Sequence, residues 1–304
     1  MTANSKIEWC DHTLNVWWGC ARVSPGCVNC YADTLASRWG HQLWRRHGPR
    51  KAMSAQYWRE PIKWNRTDPG RVFCGSMCDP FEAHPTPDVR VMQDTERARL
   101  WDLIDRTQNL TWLLLTKRPE NVAAMVPWTG DWPRNVWIGT SVEDQARADE
   151  RIPTLLRLPG TRFLSCEPLL GPLDLRAHFA GYCPEHDFPG GFCVERHHPG
   201  VQHVDWIIAG GESGAKARPV HPDWIRSLRD QCQKYNRPFH FKQWGEWAPS
   251  GSVGIGSADR SRSIIVGPPV DDHGCGTELT RVGKKAAGRE LDGRTWDEFP
   301  VVTP

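Results

Sequence analysis

An alternation of short apolar runs with helix-like segments is the feature that most constrains the fold of this 304-residue chain. A typical unit is the run Trp112-Leu113-Leu114-Leu115, which is followed by the helix start Arg118-Pro119-Glu120, with proline in the first turn. Near-continuous apolar strands alternating with amphipathic helices are typical of a parallel sheet covered on both faces. Six or seven such units predict an α/β chain with a full or partial (β/α) barrel, with an open doubly wound sheet as the alternative.

Polar residues follow the predicted strands, which we place at residues 16–19, 72–77, 112–116, 136–139, 162–165, 205–209 and 239–242. Because the site of such a barrel is built from loops at the carboxyl ends of its strands, we expect these polar residues to converge on one cavity. They are Cys20, Asp79, Lys117, Ser141, Glu143, Glu167, Gly210, Gly211, Glu212 and Gln243. A helix over residues 31–47 is predicted to follow the first strand.

The predicted barrel spans residues 1–247 and carries an insertion at about 176–204. Residues 248–263 are rich in glycine and serine, which predicts a mobile loop. The charged end of the chain is too short to be a domain, so residues 248–304 are predicted to form this loop and a C-terminal tail packed on the barrel.

The bulk composition favours a cytoplasmic protein that is not bound to a membrane. No run approaches the roughly 18 apolar residues that span a bilayer, and the N-terminus lacks the apolar segment of a signal peptide. A formal net charge of +2, from 38 basic and 36 acidic residues, gives no strong electrostatic footprint for nucleic acid, although it leaves a local basic face open. In a reducing cytosol, an odd count of eleven cysteines favours metal ligands or catalytic groups over disulfides.

Three cysteines, Cys20, Cys27 and Cys30, fall within one predicted strand-to-helix connection. The turn at Pro25-Gly26 brings Cys20 back towards the other two. Three thiolates would leave one iron of a [4Fe–4S] cluster without a protein ligand, free to bind a cofactor. Structural zinc is the alternative, with Cys10, His12 or a distant residue as the fourth ligand.

A second candidate metal site lies in the insertion. Cys183 and His186, followed by Cys193 and His197, have the spacing of a small zinc knuckle, with His198 as the rival last ligand. The insertion has few apolar residues to fold on, so one structural zinc would explain its order. The alternative is a surface loop with incidental histidines.

The chain resembles radical S-adenosylmethionine enzymes, and more closely a phage- and mobile-element-associated family of radical-SAM-like proteins. The likeness covers nearly the whole chain and rests on a series of motifs in order. They are Trp17-Trp18-Gly19-Cys20, the three-cysteine loop with Tyr31-Ala32, Cys78-Asp79-Pro80-Phe81, Leu115-Thr116-Lys117-Arg118-Pro119, Trp137-Ile138-Gly139-Thr140-Ser141-Val142-Glu143, Ser165-Cys166-Glu167-Pro168-Leu169, Gly210-Gly211-Glu212-Ser213-Gly214, Phe241-Lys242-Gln243-Trp244-Gly245 and Leu291-Asp292-Gly293-Arg294-Thr295-Trp296.

The resemblance implies a [4Fe–4S] cluster on Cys20, Cys27 and Cys30, with S-adenosylmethionine chelating its open iron. One-electron reduction by a protein donor would release a 5′-deoxyadenosyl radical, which abstracts hydrogen from a substrate. The Gly-Gly-Glu signature of the superfamily usually follows the second strand, whereas here it follows the sixth. The residues from Ser76 to Asp79 are therefore expected at the amino acid end of the cofactor, and those from Gly210 and Gly211 to Glu212 at ribose or substrate. Ser141 and Glu143 are expected as further cofactor contacts.

Two functions of different classes follow. In the first, the chain is a radical enzyme in which Lys117, Glu167 and Glu212 position substrate or cofactor, and Lys242 donates a proton or contacts phosphate. The mobile-element resemblance implies a nucleic acid or nucleotide as its substrate. In the second, zinc is structural, and the chain is a non-catalytic module that recruits a protein or nucleic-acid partner of the same mobile element.

Overall fold

The computed structural model describes residues 5–128, 130–180, 202–250, 263–267 and 276–301. In these ranges the strands are β1 (His12–Leu14), β2 (Trp17–Trp18), β3 (Lys51–Ala52), β4 (Arg71–Cys74), β5 (Thr111–Thr116), β6 (Val136–Ser141), β7 (Thr161–Cys166), β8 (Trp206–Gly210), β9 (Phe239–Gln243), β10 (Trp247–Pro249), β11 (Ser263–Val266) and β12 (Thr277–Arg281). The helices are α1 (Tyr31–Arg38), α2 (Glu60–Thr67), α3 (Pro87–Asp105), α4 (Val122–Met125), α5 (Gln145–Leu156), α6 (Arg176–Ala180), α7 (Pro222–Lys234) and α8 (Lys284–Ala287).

The main sheet has seven strands in the order β1-β4-β5-β6-β7-β8-β9. The pairs β1–β4, β4–β5, β5–β6 and β8–β9 are parallel. The order follows the chain without the reversal that defines a doubly wound sheet. The predicted α/β class with a parallel sheet is therefore confirmed, and the order is compatible with a partial barrel.

The chain divides into two compact units. The first comprises Met1–Ser141 and Glu150–Phe163, and the second comprises Val142–Asp149 and Leu164–Pro304. In the first unit, β5 is apolar on both faces, with Trp112, Leu113 and Leu114 fully buried. In the second unit, β8 and β9 bury their side chains together with the apolar side of α7. Each unit thus has its own core.

The prediction for the first strand was wrong. The sheet begins with β1, whereas Trp17 and Trp18 form a separate two-residue strand paired antiparallel with β3. The sequence does not mark β1 as an apolar run, because its first residue, His12, is polar although it is fully buried. Its ring stacks on Trp64 at 4.4 Å and its Nε2 lies 2.9 Å from the Asp68 carbonyl oxygen, so one of its two ring nitrogens has a hydrogen-bond partner.

The helix predicted over residues 31–47 is also shorter than expected. It ends at Arg38, and Gly40 follows with a φ of +76°, the left-handed conformation that commonly ends helices. Leu43 and Trp44 continue the apolar pattern but lie in a loop, packed with Ala32 and Ala36 of α1. Burial, rather than helical structure, therefore explains the longer periodicity.

Residues 247–281 contain a sheet that the sequence analysis did not predict. Strands β10, β12 and β11 form it in that order, with antiparallel pairing. Towards the end of the chain, the Phe241 amide donates to the Trp296 carbonyl at 2.9 Å, and the Trp206 indole donates to the Glu298 carbonyl at 2.9 Å. The last described residues of the second unit thus pack against its strands β8 and β9.

Candidate functional site

The three-cysteine loop runs from the end of β2 to the start of α1. Pro25–Cys27 forms one turn of 3₁₀ helix, in which the Cys27 amide donates to the Ser24 carbonyl at 2.9 Å. Cys30 is the residue that precedes the first turn of α1. Cys27 is buried, whereas Cys20 and Cys30 are half-buried, and all three thiols are free. The predicted turn and the helix start are thus in place.

Cys30 is close to both of the other cysteines of the loop: it shares an apolar cluster with Cys20, and Cys27 is near enough to affect its pKa. Cys20 and Cys30 both pack against the small apolar cluster of Ala32, Ala36, Leu43, Trp44 and Met77. Burial raises the pKa of the Cys30 thiol, backbone donors lower it, and the neighbouring Cys27 raises it again. Across the ranges that the structure describes, no three His, Cys, Asp or Glu side chains stand close enough together to hold a metal ion.

Arg118 is the cation next to Cys20. Its Nη1 lies 3.7 Å from Cys20 Sγ, and its Nη2 donates to the Ala21 carbonyl oxygen at 2.8 Å. Burial raises the pKa of the Cys20 thiol well above its usual value, and the Arg118 charge opposes that shift. A guanidinium in this position favours the thiolate, which is the form that binds metals.

Two buried carboxylates hold Arg118 in place. Its Nη1 donates to Asp79 Oδ2 at 2.6 Å, and its Nη2 lies 3.8 Å from Glu82 Oε1. Burial acts to lower the pKa of Arg118, but the negative charges around it outweigh burial and raise it. Glu82 Oε1 also accepts a hydrogen bond from the Ala21 amide at 2.8 Å. The cysteine loop is therefore held at both the amide and the carbonyl oxygen of Ala21.

Two predicted cofactor residues of the first unit, Asp79 and Ser76, are held by separate sets of hydrogen bonds. Asp79 accepts from Thr116 Oγ1 at 2.7 Å and from the Lys117 amide at 3.0 Å, in addition to Arg118. The Ser76 side chain exchanges hydrogen bonds with the Asn15 amide group. Asp79 therefore connects the end of β5, at Thr116 and Lys117, to Arg118, which in turn contacts Cys20.

In the second unit, Glu167 and Lys242 form a close ion pair. Lys242 Nζ lies 2.7 and 2.8 Å from the two carboxylate oxygens, and both side chains are mostly buried. Gly210 borders the pair, because a Cβ added there would lie 3.6 Å from Glu167 Oε1. The sequence predicted all three residues as site residues, and the structure brings them together.

Glu212, a predicted site residue, pairs with Arg218. Its carboxylate accepts from the Arg218 backbone amide at 2.8 Å and from the guanidinium at 2.7 and 3.0 Å. Next to it, Gly211 leaves no room for a side chain, since a Cβ would lie 2.0 Å from the Trp244 carbonyl oxygen. Gly211 and Glu212 thus shape and brace the loop after β8.

The remaining predicted positions are divided between the units. Ser141 is buried at the end of β6, and its carbonyl oxygen accepts from Arg151 at 2.8 Å. Glu143 is fully buried, and its carbonyl oxygen accepts the Leu170 amide at 2.7 Å. Lys117 is half-buried after β5. The predicted zinc ligands Cys183, His186, Cys193 and His197, with the rival His198, lie outside the described residues.

Comparison with known proteins places the chain in a family. Residues 4–300 match DUF5131, which is described as a protein of unknown function. The chain belongs to this family. No curated protein and no solved structure matches it. Among the described helices, none combines the length and apolar composition needed to cross a bilayer.

The sequence did not predict the charged residues Arg118, Glu82 and Arg218, which hold other site residues in position. Arg118 lies within the quoted run Lys117-Arg118-Pro119, and its position directly after a buried strand was the available signal. Glu82 gave no signal, because its partners Ala21 and Arg118 come from other parts of the chain. Arg218, by contrast, lies only six residues from its partner Glu212. All three are charged and at least half-buried, a combination that requires a partner.

Proposed function

We propose that this chain is a radical S-adenosylmethionine enzyme with a [4Fe–4S] cluster on Cys20, Cys27 and Cys30. The observation that supports it best is the set of three free thiols on one strand-to-helix connection, with Arg118 beside Cys20. This donor set fits the cluster in kind, since thiolates are the usual protein ligands of iron–sulfur centres. The proposal includes closure of the loop on binding, because metal binding and local ordering are coupled.

The chemistry that such a group supplies when bound is the one-electron cleavage of S-adenosylmethionine, which starts hydrogen abstraction from a substrate. Arg118 would favour the thiolate of Cys20 when that sulfur binds iron, and Glu82 would hold the adjacent Ala21 amide. A cytoplasmic setting and a reducing protein as electron donor belong to the same proposal, since the thiols must stay reduced before loading.

The second unit supplies residues for substrate. Gly210, which has no side chain, lies at the end of β8 beside the Glu167–Lys242 pair. A Lys–Glu pair of this kind can transfer a proton without leaving an uncompensated buried charge. We assign Lys242 as the proton donor or phosphate contact and Glu167 as its positioning residue. Ser141 and Glu143 remain assigned as cofactor contacts.

Anaerobic reconstitution of the full chain with iron and sulfide tests the cluster. A brown protein whose colour dithionite bleaches is expected, with the colour lost in Cys20→Ala, Cys27→Ala and Cys30→Ala. Cys232→Ala, which removes a buried thiol of α7, serves as the matched control and should keep the colour.

Release of 5′-deoxyadenosine from S-adenosylmethionine under dithionite tests the enzyme. A coloured protein that releases none would retain the cluster and refute the cofactor cleavage. A colourless protein with stoichiometric zinc on the three-cysteine loop would refute the whole proposal and support the non-catalytic module.

A further inference from the structure

A basic segment without acidic residues begins shortly after the cysteine loop, at residue 34. Residues 34–59 contain six of the 38 basic residues and none of the 36 acidic residues, so a chain of net charge +2 carries −4 outside this segment. Two histidines and three tryptophans lie among these basic residues. Basic side chains interleaved with aromatic ones are the usual composition of a surface that binds single-stranded nucleic acid.

Two stacked tryptophans form a platform on this segment. Trp39 is 58% exposed and stacks on Trp18, with the ring centroids 5.2 Å apart and the planes 20° from parallel. Lys51 faces Trp18 across the β2–β3 pair and places its Nζ 5.2 Å from the centre of that ring. The same Nζ lies 3.0 Å from His41 Nε2. The exposed indole of Trp39 thus stacks on a second indole, Trp18, that has a cation beside it.

The loop between α1 and β3 is ordered from inside by one buried arginine. Arg50 Nη1 donates to the carbonyl oxygens of Leu43, Arg45, Gly48 and Pro49 at 3.0–3.2 Å. Its Nε and Nη2 donate to Glu82, each at 2.7 Å. Arg45 and Arg46 on this loop are exposed, so their backbone is fixed while their charges face solvent.

The platform and the cysteine loop share one support. Trp18, Cys20 and Cys30 all pack against the apolar cluster that contains Leu43 and Trp44. A strand bound along the basic segment would therefore lie on the same small core as the thiols.

We propose that Trp18, Arg38, Trp39, His41, Arg45, Arg46 and Lys51, which we call the Trp39 surface, bind single-stranded nucleic acid. One unpaired base stacks on the open side of Trp39, and the basic side chains contact phosphates. A duplex offers no free base face to this indole, which favours a single strand. An acidic protein could pair with the basic side chains, but it would not supply a base to stack on the exposed indole. The role of the strand as substrate rests on the proposed function, whereas its binding does not.

Fluorescence anisotropy of a labelled oligothymidylate, with the full chain free of iron and S-adenosylmethionine, tests this binding separately from catalysis. Trp39→Ala is expected to weaken binding about tenfold, and Trp39→Phe much less, because stacking on an aromatic ring is what is lost. An abasic oligonucleotide of equal length isolates the stacking. Wild-type protein should bind the abasic probe more weakly than oligothymidylate. Trp39→Ala should bind the two probes with equal affinity.

Salt dependence tests the phosphate contacts. Arg45→Gln/Arg46→Gln should lower the slope of log affinity against log salt by about 1.4, the value for two contacts to a single strand. Lys284→Gln/Lys285→Gln is the matched control, since it removes two adjacent exposed charges of α8. It should leave both slope and affinity unchanged.

Three results would overturn the proposal. They are absence of oligonucleotide binding at low salt, equal weakening by the two double variants, and equal affinity of wild-type protein for the abasic and thymidylate probes. If the abasic probe binds as well and polyglutamate displaces it, the surface is a general polyanion site suited to an acidic protein. Circular dichroism of Trp39→Ala verifies that it is folded, as expected for an exposed side chain.

Discussion

At the residue scale, Arg118 links more of the candidate site than any cysteine does. It contacts Cys20, the Ala21 carbonyl oxygen and Asp79 within one guanidinium. Arginine suits this role because its donors are fixed in a plane and its charge is permanent. The thiol, the loop backbone and the end of β5 are thus tied to one side chain, whose loss leaves Asp79 buried with a charge and fewer donors.

We expect Arg118→Gln to lower the free energy of unfolding by about 3 kcal/mol, since removing one partner of a buried ion pair leaves the other charge uncompensated. Urea unfolding measures the loss. Arg106→Gln is the control, because Arg106 and Asp102 form an exposed pair whose loss should cost below about 1 kcal/mol. Equal losses in the two variants would show that the Arg118 network is not a buried ion-pair network.

Asp292 provides a pH-dependent contact at the same scale. The hydrogen bond from Arg226 lowers the pKa of its carboxyl group, burial acts against this shift, and the hydrogen bond from Arg229 lowers the pKa further. A carboxyl group whose folded pKa is depressed stabilises the protein above its unfolded pKa, and that stability is lost as the pH falls through the folded pKa.

Asp292→Asn should therefore reduce stability slightly at pH 7, by under about 1 kcal/mol for such an exposed pair, and the difference should shrink below about pH 4. Asn is the suitable replacement because residue 292 has a φ of +53°, a conformation that Asn tolerates. Urea unfolding of both proteins at several pH values measures the difference. A constant difference across this range would indicate lost packing instead of lost charge.

At the scale of elements, the loop from Leu43 to Pro49 depends on Arg50. Four of its carbonyl oxygens accept from the same guanidinium nitrogen, so the loop has a shared anchor in place of regular secondary structure. Lysine cannot reproduce this pattern, because it lacks the planar set of donors.

Arg50→Lys should accelerate tryptic cleavage after Arg45 and Arg46 several-fold, since cleavage requires local opening of this loop. Mass spectrometry of the fragments locates the cut. In Arg45→Gln/Arg46→Gln combined with Arg50→Lys, the new fragments should disappear. An unchanged cleavage rate in Arg50→Lys would mean that Leu43 and Trp44 alone hold the loop.

The elements also show what the sequence could and could not predict. Strands β5 and β6 were located closely because their residues are buried on both faces and leave a continuous apolar run. Strand β1 escaped because buried His12 is polar, and β12 escaped because Thr277–Arg281 has no apolar run and pairs with distant strands. The cysteine loop was found because its ligand spacing is local, whereas the Arg118–Asp79 contact joins residues 39 apart.

At the scale of the molecule, loading of the candidate site should be visible in the stability of the first unit as a whole. A ligand that binds only the folded state stabilises it by mass action, and metal sites couple binding to ordering. The cysteine loop is tied to the first unit through Ala21 and to its small apolar cluster through Cys20 and Cys30. Stabilisation of the loop therefore extends to that unit.

Removal of iron from the reconstituted protein with a chelator should lower the temperature of unfolding, because the thiolates lose the ion that cross-links their loop. Cys27→Ala should unfold at the same temperature before and after chelation. Cys232→Ala is the matched variant, because it removes a buried thiol of α7 outside the cysteine loop. Loss of this buried group should lower the unfolding temperature of the variant, and chelation should lower that temperature further. Calorimetry of the three proteins, each loaded and stripped, separates loss of the cluster from loss of a buried sulfur. A wild-type midpoint that does not change on chelation would refute structural coupling between the loop and the first unit.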